Sequence, residues 1–376
     1  MDRSDMLLIG LGGGGGNLTN SIIEVDNRWQ GYFINTSITD IKSLSNCNDI
    51  IKNYYCISTS NGVGRNRQLG KELAKNTWLN IYDGIQRYNQ KNIIFISSLG
   101  GGSGSAELSI ILEGIDSLDD FDKTITLILI IPSLNSSDKI LQNALDTWNE
   151  ISKRKCVTNM IFVDNNSNIG YYSNEIKKEK GINDLFAEQF DSIFDIPEDN
   201  GTNFDEGNLG NILNDKGVLY FYNLGDYDDI NKAMNNKDNN SVLSPMYIPE
   251  NQLELLPDKT NAIICGRYGL SFSNDYNKNY FYKNFRPKYE SYEGTNAYGN
   301  NLLLISGCYP PIDSLSLIEH ELDDRKKRSL NNGDFDFSMF TVGNKNNFTK
   351  DVVNEVTREN NKIPKVKKKM KKNLFR

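Results

Sequence analysis

The sequence predicts an α/β fold: a doubly wound parallel sheet, joined by a long central helix to a smaller α+β half. Three observations carry that expectation. Short β-rich runs alternate with helical patterns through the first half. Those runs are continuously apolar rather than alternating, as strands covered by helices on both faces should be. Two glycine clusters, "LIGLGGGGGN" and "SSLGGGSGSAE", each follow such a run and open a helical pattern.

In chain order, strands are predicted at residues 6–10, 32–35, 54–58, 93–98, 125–131 and 160–164, with helices beginning near Asn17, Arg67, Ser105 and Asp138. From residue 181 the run "GINDLFAEQFDSIFDIP" sets Ile182, Leu185, Phe186, Phe190, Ile193 and Phe194 at helical spacing, and Pro197 ends it. Strands follow at 218–222, 262–265, 280–285 and 302–306, then a charged helix over 314–328. The expected division is a first domain over 1–180, a central helix over 181–197, a smaller domain over 198–330 and a flexible basic tail over 331–376. In that tail Asn, Lys and Asp dominate, and too little apolar surface remains to form a core.

The 376 residues suit two domains, and 38% hydrophobic content with a mean hydropathy of −0.53 describes a globular chain with polar loops. No run approaches the roughly 20 apolar residues of a membrane helix, and the first residues lack a secretory pattern, so a cytoplasmic location is expected. Cys47, Cys56, Cys156, Cys265 and Cys308 show no C-x-x-C spacing, and His320 is the single histidine. Zinc sites, disulfide frameworks and Ser-His or Cys-His catalysis are therefore poorly supported. Net charge is −7, yet residues 362–376 hold eight basic side chains and no acidic one, leaving 34 basic against 49 acidic elsewhere. An acidic body with a basic tail suggests that the tail has its own partner.

A glycine cluster between strand and helix exposes backbone N–H groups at a helix N-terminus, where the dipole favours an anion. A tight structural turn explains many lone glycine runs. Two such loops in a doubly wound sheet point instead to a nucleotide with several phosphates. The competing reading is a dinucleotide fold, since "GLGGGGG" contains G-x-G-x-x-G. That fold expects an acidic residue at the end of the second strand, where Asn35-Thr36 stands, and gives a second glycine loop no task.

These residues resemble the tubulin/FtsZ superfamily. Its signature G-G-G-[ST]-G-[ST] matches residues 100–105 in full, and "GGGGGN" matches 12–17 as in FtsZ. Further similarity lies in "FINTSITDIKSL", "NGVGRNRQLGKELA", "IPSLNSSDKILQNALDTWNEI" and "MIFVDNN", and the likeness spans roughly residues 6–330. Within the superfamily the phrasing is most like the TubZ branch. The resemblance implies a GTP-binding domain and a smaller activation domain, with GTP or GDP as ligand and Mg2+ bound through the phosphates rather than by protein side chains. It also implies a GTPase activated by polymerisation into cytomotive filaments.

Carried over residue by residue, it implies that Gly12, Gly13, Gly14, Gly15 and Gly16 cradle the α- and β-phosphates, with Asn17 near the base or ribose. Asn61, Gly62, Gly64 and Arg65 would close over the γ-phosphate, and Gly100, Gly101, Gly102, Ser103, Gly104 and Ser105 would donate to the phosphates. Asn165 and Asp184 match the positions that read guanine, although a charge at a helix N-terminus explains Asp184 as well. Asp138 is the nearest candidate for a sugar contact.

In this superfamily a loop of the next subunit supplies the acids that polarise the attacking water. Here that loop reads "GTNFDEGN", with Asn203 and Asp205 in the pattern N-x-D-x-x-D and Asn208 in place of the last acid. Asparagine holds a water but is no carboxylate base. Either Asp205 and Glu206 carry the role in a shifted register, or hydrolysis is slow and filaments persist.

The run "KVKKKMKK" contains Lys365, Lys367, Lys368, Lys369, Lys371 and Lys372. Four readings stand for it: a solubilising end, direct DNA contact through counterion release, a membrane-surface patch, or, by resemblance, recruitment of a DNA-binding adaptor of the TubR type. The leading expectation is a filament that segregates plasmid or phage DNA. The alternatives are a hydrolysis-poor GTP-binding filament, an FtsZ-like or phage-centring cytoskeletal protein, and a dinucleotide enzyme.

Overall fold

The structure, a computed structural model, describes residues 1–58, 62–167, 175–200, 203–224, 241–273, 284–296 and 301–331. Its first half alternates strand and helix: β1 (Met6–Leu11), α1 (Gly12–Val25), β2 (Gln30–Asn35), α2 (Ile38–Lys42), β3 (Tyr54–Cys56), α3 (Arg67–Asn76), α4 (Trp78–Gln86), β4 (Asn92–Ser98), α5 (Gly104–Asp116), β5 (Thr124–Ile131), α6 (Asp138–Ile151) and β6 (Val157–Asp164). Then come α7 (Glu175–Ser192), α8 (Ile196–Asn200), α9 (Glu206–Leu213), β7 (Gly217–Asn223), β8 (Leu253–Leu255), β9 (Asn261–Cys265), β10 (Tyr268–Ser273), β11 (Phe285–Pro287), β12 (Ser291–Asn296), β13 (Leu302–Cys308) and α10 (Ile312–Asn331).

One ten-stranded sheet runs in the order β12-β10-β13-β7-β6-β5-β4-β1-β2-β3, parallel from β7 to β3. The continuous apolar runs explain its burial: every residue of β1 is buried, as are Ile93 to Ile96 of β4. Strands from the second half extend this sheet through Asn159↔Gly217 and Met160↔Val218, so residues 1–180 and 198–330 contribute to one sheet. The chain divides into compact units at Met1–Asp324 and Arg325–Arg376, and within the first Leu315, Ile318 and Leu322 of α10 are buried at helical spacing. The lysine run of residues 365–372 lies outside the described residues, as does most of the strand predicted at 280–285.

The central helix spans Glu175–Ser192 rather than 181–197. A 3-10 turn, Ile193–Asp195, separates it from α8, whose first turn holds Pro197. Pro197 has no N–H to give the Ile193 carbonyl, so the α-helix breaks before it and restarts where that N–H is not needed. Phe186 and Phe190 of α7 stack at 5.6 Å, and Trp29 stacks on Phe190 at 5.6 Å. Beside them, buried Arg3 donates to Asp191 at 2.7 and 2.9 Å, pinning the end of α7 to the start of the sheet.

The chain lays β2 and β3 to one side of β1 and β4, β5 and β6 to the other. Strand order therefore reverses between β1 and β4, the place where loops leave a crevice at the carboxyl ends of a doubly wound sheet. Leu11 is in register with Ser97, so both glycine loops leave the sheet at the same level.

Candidate functional site

Two adjoining cavities lie at this switch point and share Gly14 and Ser98. One, of about 500 Å3, is walled by Gly13, by residues 62–65 and by Gly101 to Gly104, with Asn35 and Asp40 at its side. The other, of about 490 Å3, lies between Asn17, Ser21 and Glu24 of α1, Asn165 after β6, and Glu179, Lys180 and Asn183 of α7.

The glycines divide into two groups. A Cβ on Gly12, whose φ is +64°, would fall 2.5 Å from Gly104 N, one on Gly104 would fall 2.2 Å from Leu11 O, and one on Gly15 would fall 2.0 Å from Ile96 O. These three let the loops and strands touch backbone to backbone. Gly16 packs toward Leu44, and Gly100 against Ile140. In contrast, a Cβ on Gly13 would meet nothing within 4 Å, and one on Gly101 only Ser98 O at 3.8 Å. Of the expected phosphate contacts, Gly13, Gly14, Gly101, Gly102, Ser103 and Gly104 line the cavity, while Gly12, Gly15, Gly16 and Gly100 do not.

Ser105 also differs from expectation. It is fully buried and donates to the Gly101 carbonyl at 2.5 Å, closing the loop on itself rather than facing the cavity. Ser103 exchanges a 2.6 Å hydrogen bond with Thr36, fastening the second glycine loop to the end of β2. Gly62, Gly64 and Arg65 line the cavity of about 500 Å3, all with positive φ, whereas Asn61 lies outside the described residues.

In the other cavity Asn17 and Asn165 line the wall, and the buried Asn165 Oδ1 has no hydrogen-bond partner among the described residues. An unpaired buried amide oxygen costs energy until a donor meets it. Asp184 does not line this cavity: its Oδ1 accepts from Ser21 at 3.0 Å, and the neighbouring Asn183 takes the wall position. One residue along a helix rotates a side chain by about 100°, a phase that motif matching alone does not fix. Asp138, exposed at the start of α6, lines neither cavity.

Beneath the contact of the two loops, Glu107 sits on the first turn of α5, fully buried. Burial pushes its carboxyl well above the ordinary range, with a weak approach of the Gly12 N–H pulling the other way. A neutral acid is the form this site favours.

Sequence reasoning missed Asn35, Asp40, Ser98, Asn20, Glu24, Lys180 and Asn183. Asn35 and Ser98 were legible in kind, since Ser98 ends β4 at the switch point and Asn35 ends β2, the neighbour of β1.

With this geometry the chain can be set beside known proteins. Residues 5–173 match the tubulin/FtsZ family, GTPase domain. The TubZ protein of Clostridium botulinum C phage is 24% identical over 238 residues, 62% of this chain and 63% of that relative. Among solved structures, tail-truncated TubZ of Clostridium botulinum phage c-st superposes with a TM-score of 0.72 at 21% identity, covering 87% of this chain and 99% of that one. A GTPγS-form protofilament of Bacillus thuringiensis serovar israelensis TubZ gives 0.69 at 16%, covering 88% and 94%. The chain therefore has the tubulin/FtsZ fold.

Within the tubulin/FtsZ fold the acidic loop stands apart from the cleft. Asp205 caps α9, accepting from Asn208 N–H at 2.8 Å, and Phe204 is buried beneath Gly269. Asn203, Asp205 and Glu206 are exposed, and Asp205 and Glu206 border a recess with Pro197 and Glu198. None of the four candidate hydrolytic residues lines either glycine-loop cavity. Among the described residues no group of three or more His, Cys, Asp or Glu is placed to hold a metal, and no helix is long and apolar enough to cross a membrane.

Proposed function

We propose that this chain is a tubulin-like GTPase that binds GTP in the double cleft and assembles head to tail. The observation that carries the reading is the pairing of two glycine loops, in register at the switch point, beside a second cavity with an unpartnered Asn165 Oδ1. The phosphates take the side between Gly13 and Gly101 to Gly104, and the base takes the side of Asn17, Asn165 and Asn183. Mg2+ accompanies the phosphates, with Asp40 as the carboxylate on that wall.

The acids Asp205 and Glu206 are exposed and away from the cleft of their own chain, so they serve hydrolysis only in the cleft of a second copy. Their task is to polarise a water in line with the γ-phosphate, which needs no covalent residue. The TubZ of Bacillus thuringiensis forms a protofilament in its GTPγS form, which supports assembly of this chain as well. DNA segregation through an adaptor of the TubR type, held by the lysine run of 365–372, is the role that joins these parts.

Asp205→Asn tests the assignment, because it keeps a capping oxygen on α9 and removes the charge. Filaments should still sediment with GTP, while phosphate release per assembled subunit should fall by about tenfold or more. Release at the wild-type rate contradicts the role given to Asp205. The slow-hydrolysis reading is favoured by Asn208, and wild-type filaments that form without measurable phosphate release would establish it. Deleting residues 365–376 should spare GTP-driven sedimentation and abolish adaptor recruitment, and loss of both would remove the separate function of the tail.

A further inference from the structure

Asn143, on the second turn of α6, is buried and lines neither cavity, yet its side-chain amide reaches the loops that form one of them. Its Nδ2 donates to the Arg65 carbonyl at 3.3 Å, to the Gly100 carbonyl at 3.3 Å and, more weakly, to the Gly101 carbonyl at 3.5 Å. Arg65 is held at φ +62°, a conformation that costs a non-glycine residue energy, and its backbone lies against Gly102, where a Cβ would fall 2.4 Å from Arg65 Cα.

The chemistry of a trans peptide gives these contacts a consequence. Carbonyl and N–H point in opposite directions across each peptide plane. Turning the Gly100 and Gly101 carbonyls to Asn143 therefore points the N–H edges of Gly101 and Gly102, two residues that line the cavity, away from Asn143. One amide group thus orients two donors of the second glycine loop and fastens to them the 62–65 loop of the facing wall.

We propose that Asn143 is a positioning residue that sets the spacing of these two loops and so makes the cleft discriminate a triphosphate from a diphosphate. The inference rests on the GTP-binding reading above. The terminal phosphate meets both the 62–65 loop and residues 101–104, whereas the inner phosphates also meet Gly13 and Gly14. Loosening the amide bridge therefore weakens the triphosphate more than the diphosphate.

The test is titration of GTP and GDP into the full chain, its Asn143→Asp variant and its Asn143→Ala variant. Aspartate has the same shape but sets oxygen against three carbonyl oxygens, and alanine leaves room for a bridging water. For Asn143→Asp the dissociation constant for GTP should rise by about tenfold or more while that for GDP stays within about threefold. Asn143→Ala should show the same selective loss at smaller size, and it serves alone if the aspartate variant does not fold. Equal weakening of both nucleotides, or unchanged affinity for both, overturns the proposal. Failure of the unaltered chain to bind either nucleotide overturns instead the reading on which it rests, and the proposal with it.

Discussion

Gly104→Ala should leave little folded protein, while Gly13→Ala, in the facing loop, should fold at least as well as the unaltered chain and lose nucleotide. The added methyl at 104 would stand 2.2 Å from Leu11 O, a backbone atom of the first strand that no rotamer change can move away. Relief needs the two loops to separate, at a cost of about 3 kcal/mol or more, the upper range for forced overpacking. At 13 the methyl meets nothing within 4 Å and replaces glycine inside a helix, a change worth up to about 1 kcal/mol in favour of folding. Gly13 lines the cavity assigned to the phosphates, so its methyl should lower GTP affinity by about tenfold or more. Thermal melts and nucleotide titration on both variants check this. If both lose stability together, the division of glycines into packing and lining groups is wrong.

Glu107→Gln should stabilise the protein increasingly as pH rises. The folded chain keeps this carboxyl protonated because it is buried, whereas the unfolded chain releases the proton near the ordinary value of 4.5. Below that value the acid is neutral in both states and costs nothing relative to glutamine. Above it the unfolded state gains by ionising, so stability falls by up to about 1.4 kcal/mol per pH unit until the folded value is reached. Glutamine has the same size and no such loss. Unfolding free energies compared between pH 4 and pH 7.5 should show a gap that opens with pH. A gap that is constant, or that closes as pH rises, contradicts a neutral Glu107.

Much of the fold was legible because parallel strands carry their burial in their composition. The runs at 6–10, 93–98 and 125–131 are dominated by Leu and Ile, and the observed strands extend each by a residue or less at either end. What escaped lacks such a signature. The strand Tyr268–Ser273 interleaves glycine and serine with its apolar residues, and Ser291–Asn296 is polar at an edge of the sheet. The continuity of the sheet from β6 to β7 was equally hidden, since it rests on two registered pairs separated by more than fifty residues of chain.

The glycine clusters marked the site, but they did not say which glycines face the ligand. Gly12 and Gly104 are required by each other, a relation visible only once β1 and β4 are neighbours. Ser105 reads in sequence as a free hydroxyl and is spent on the Gly101 carbonyl. Asp184 and Asn183 differ by one helical step, and only packing of α7 against α1 decides which faces the cavity.

The central claim is that the paired loops form a guanine-nucleotide cleft. Its most direct test is equilibrium titration of the full chain with GTP, ATP and NAD under one buffer. The account predicts one GTP per chain, displaced by GDP and by neither ATP nor NAD at equal concentration. Binding of NAD in preference to GTP, or no binding of GTP at all, would contradict it.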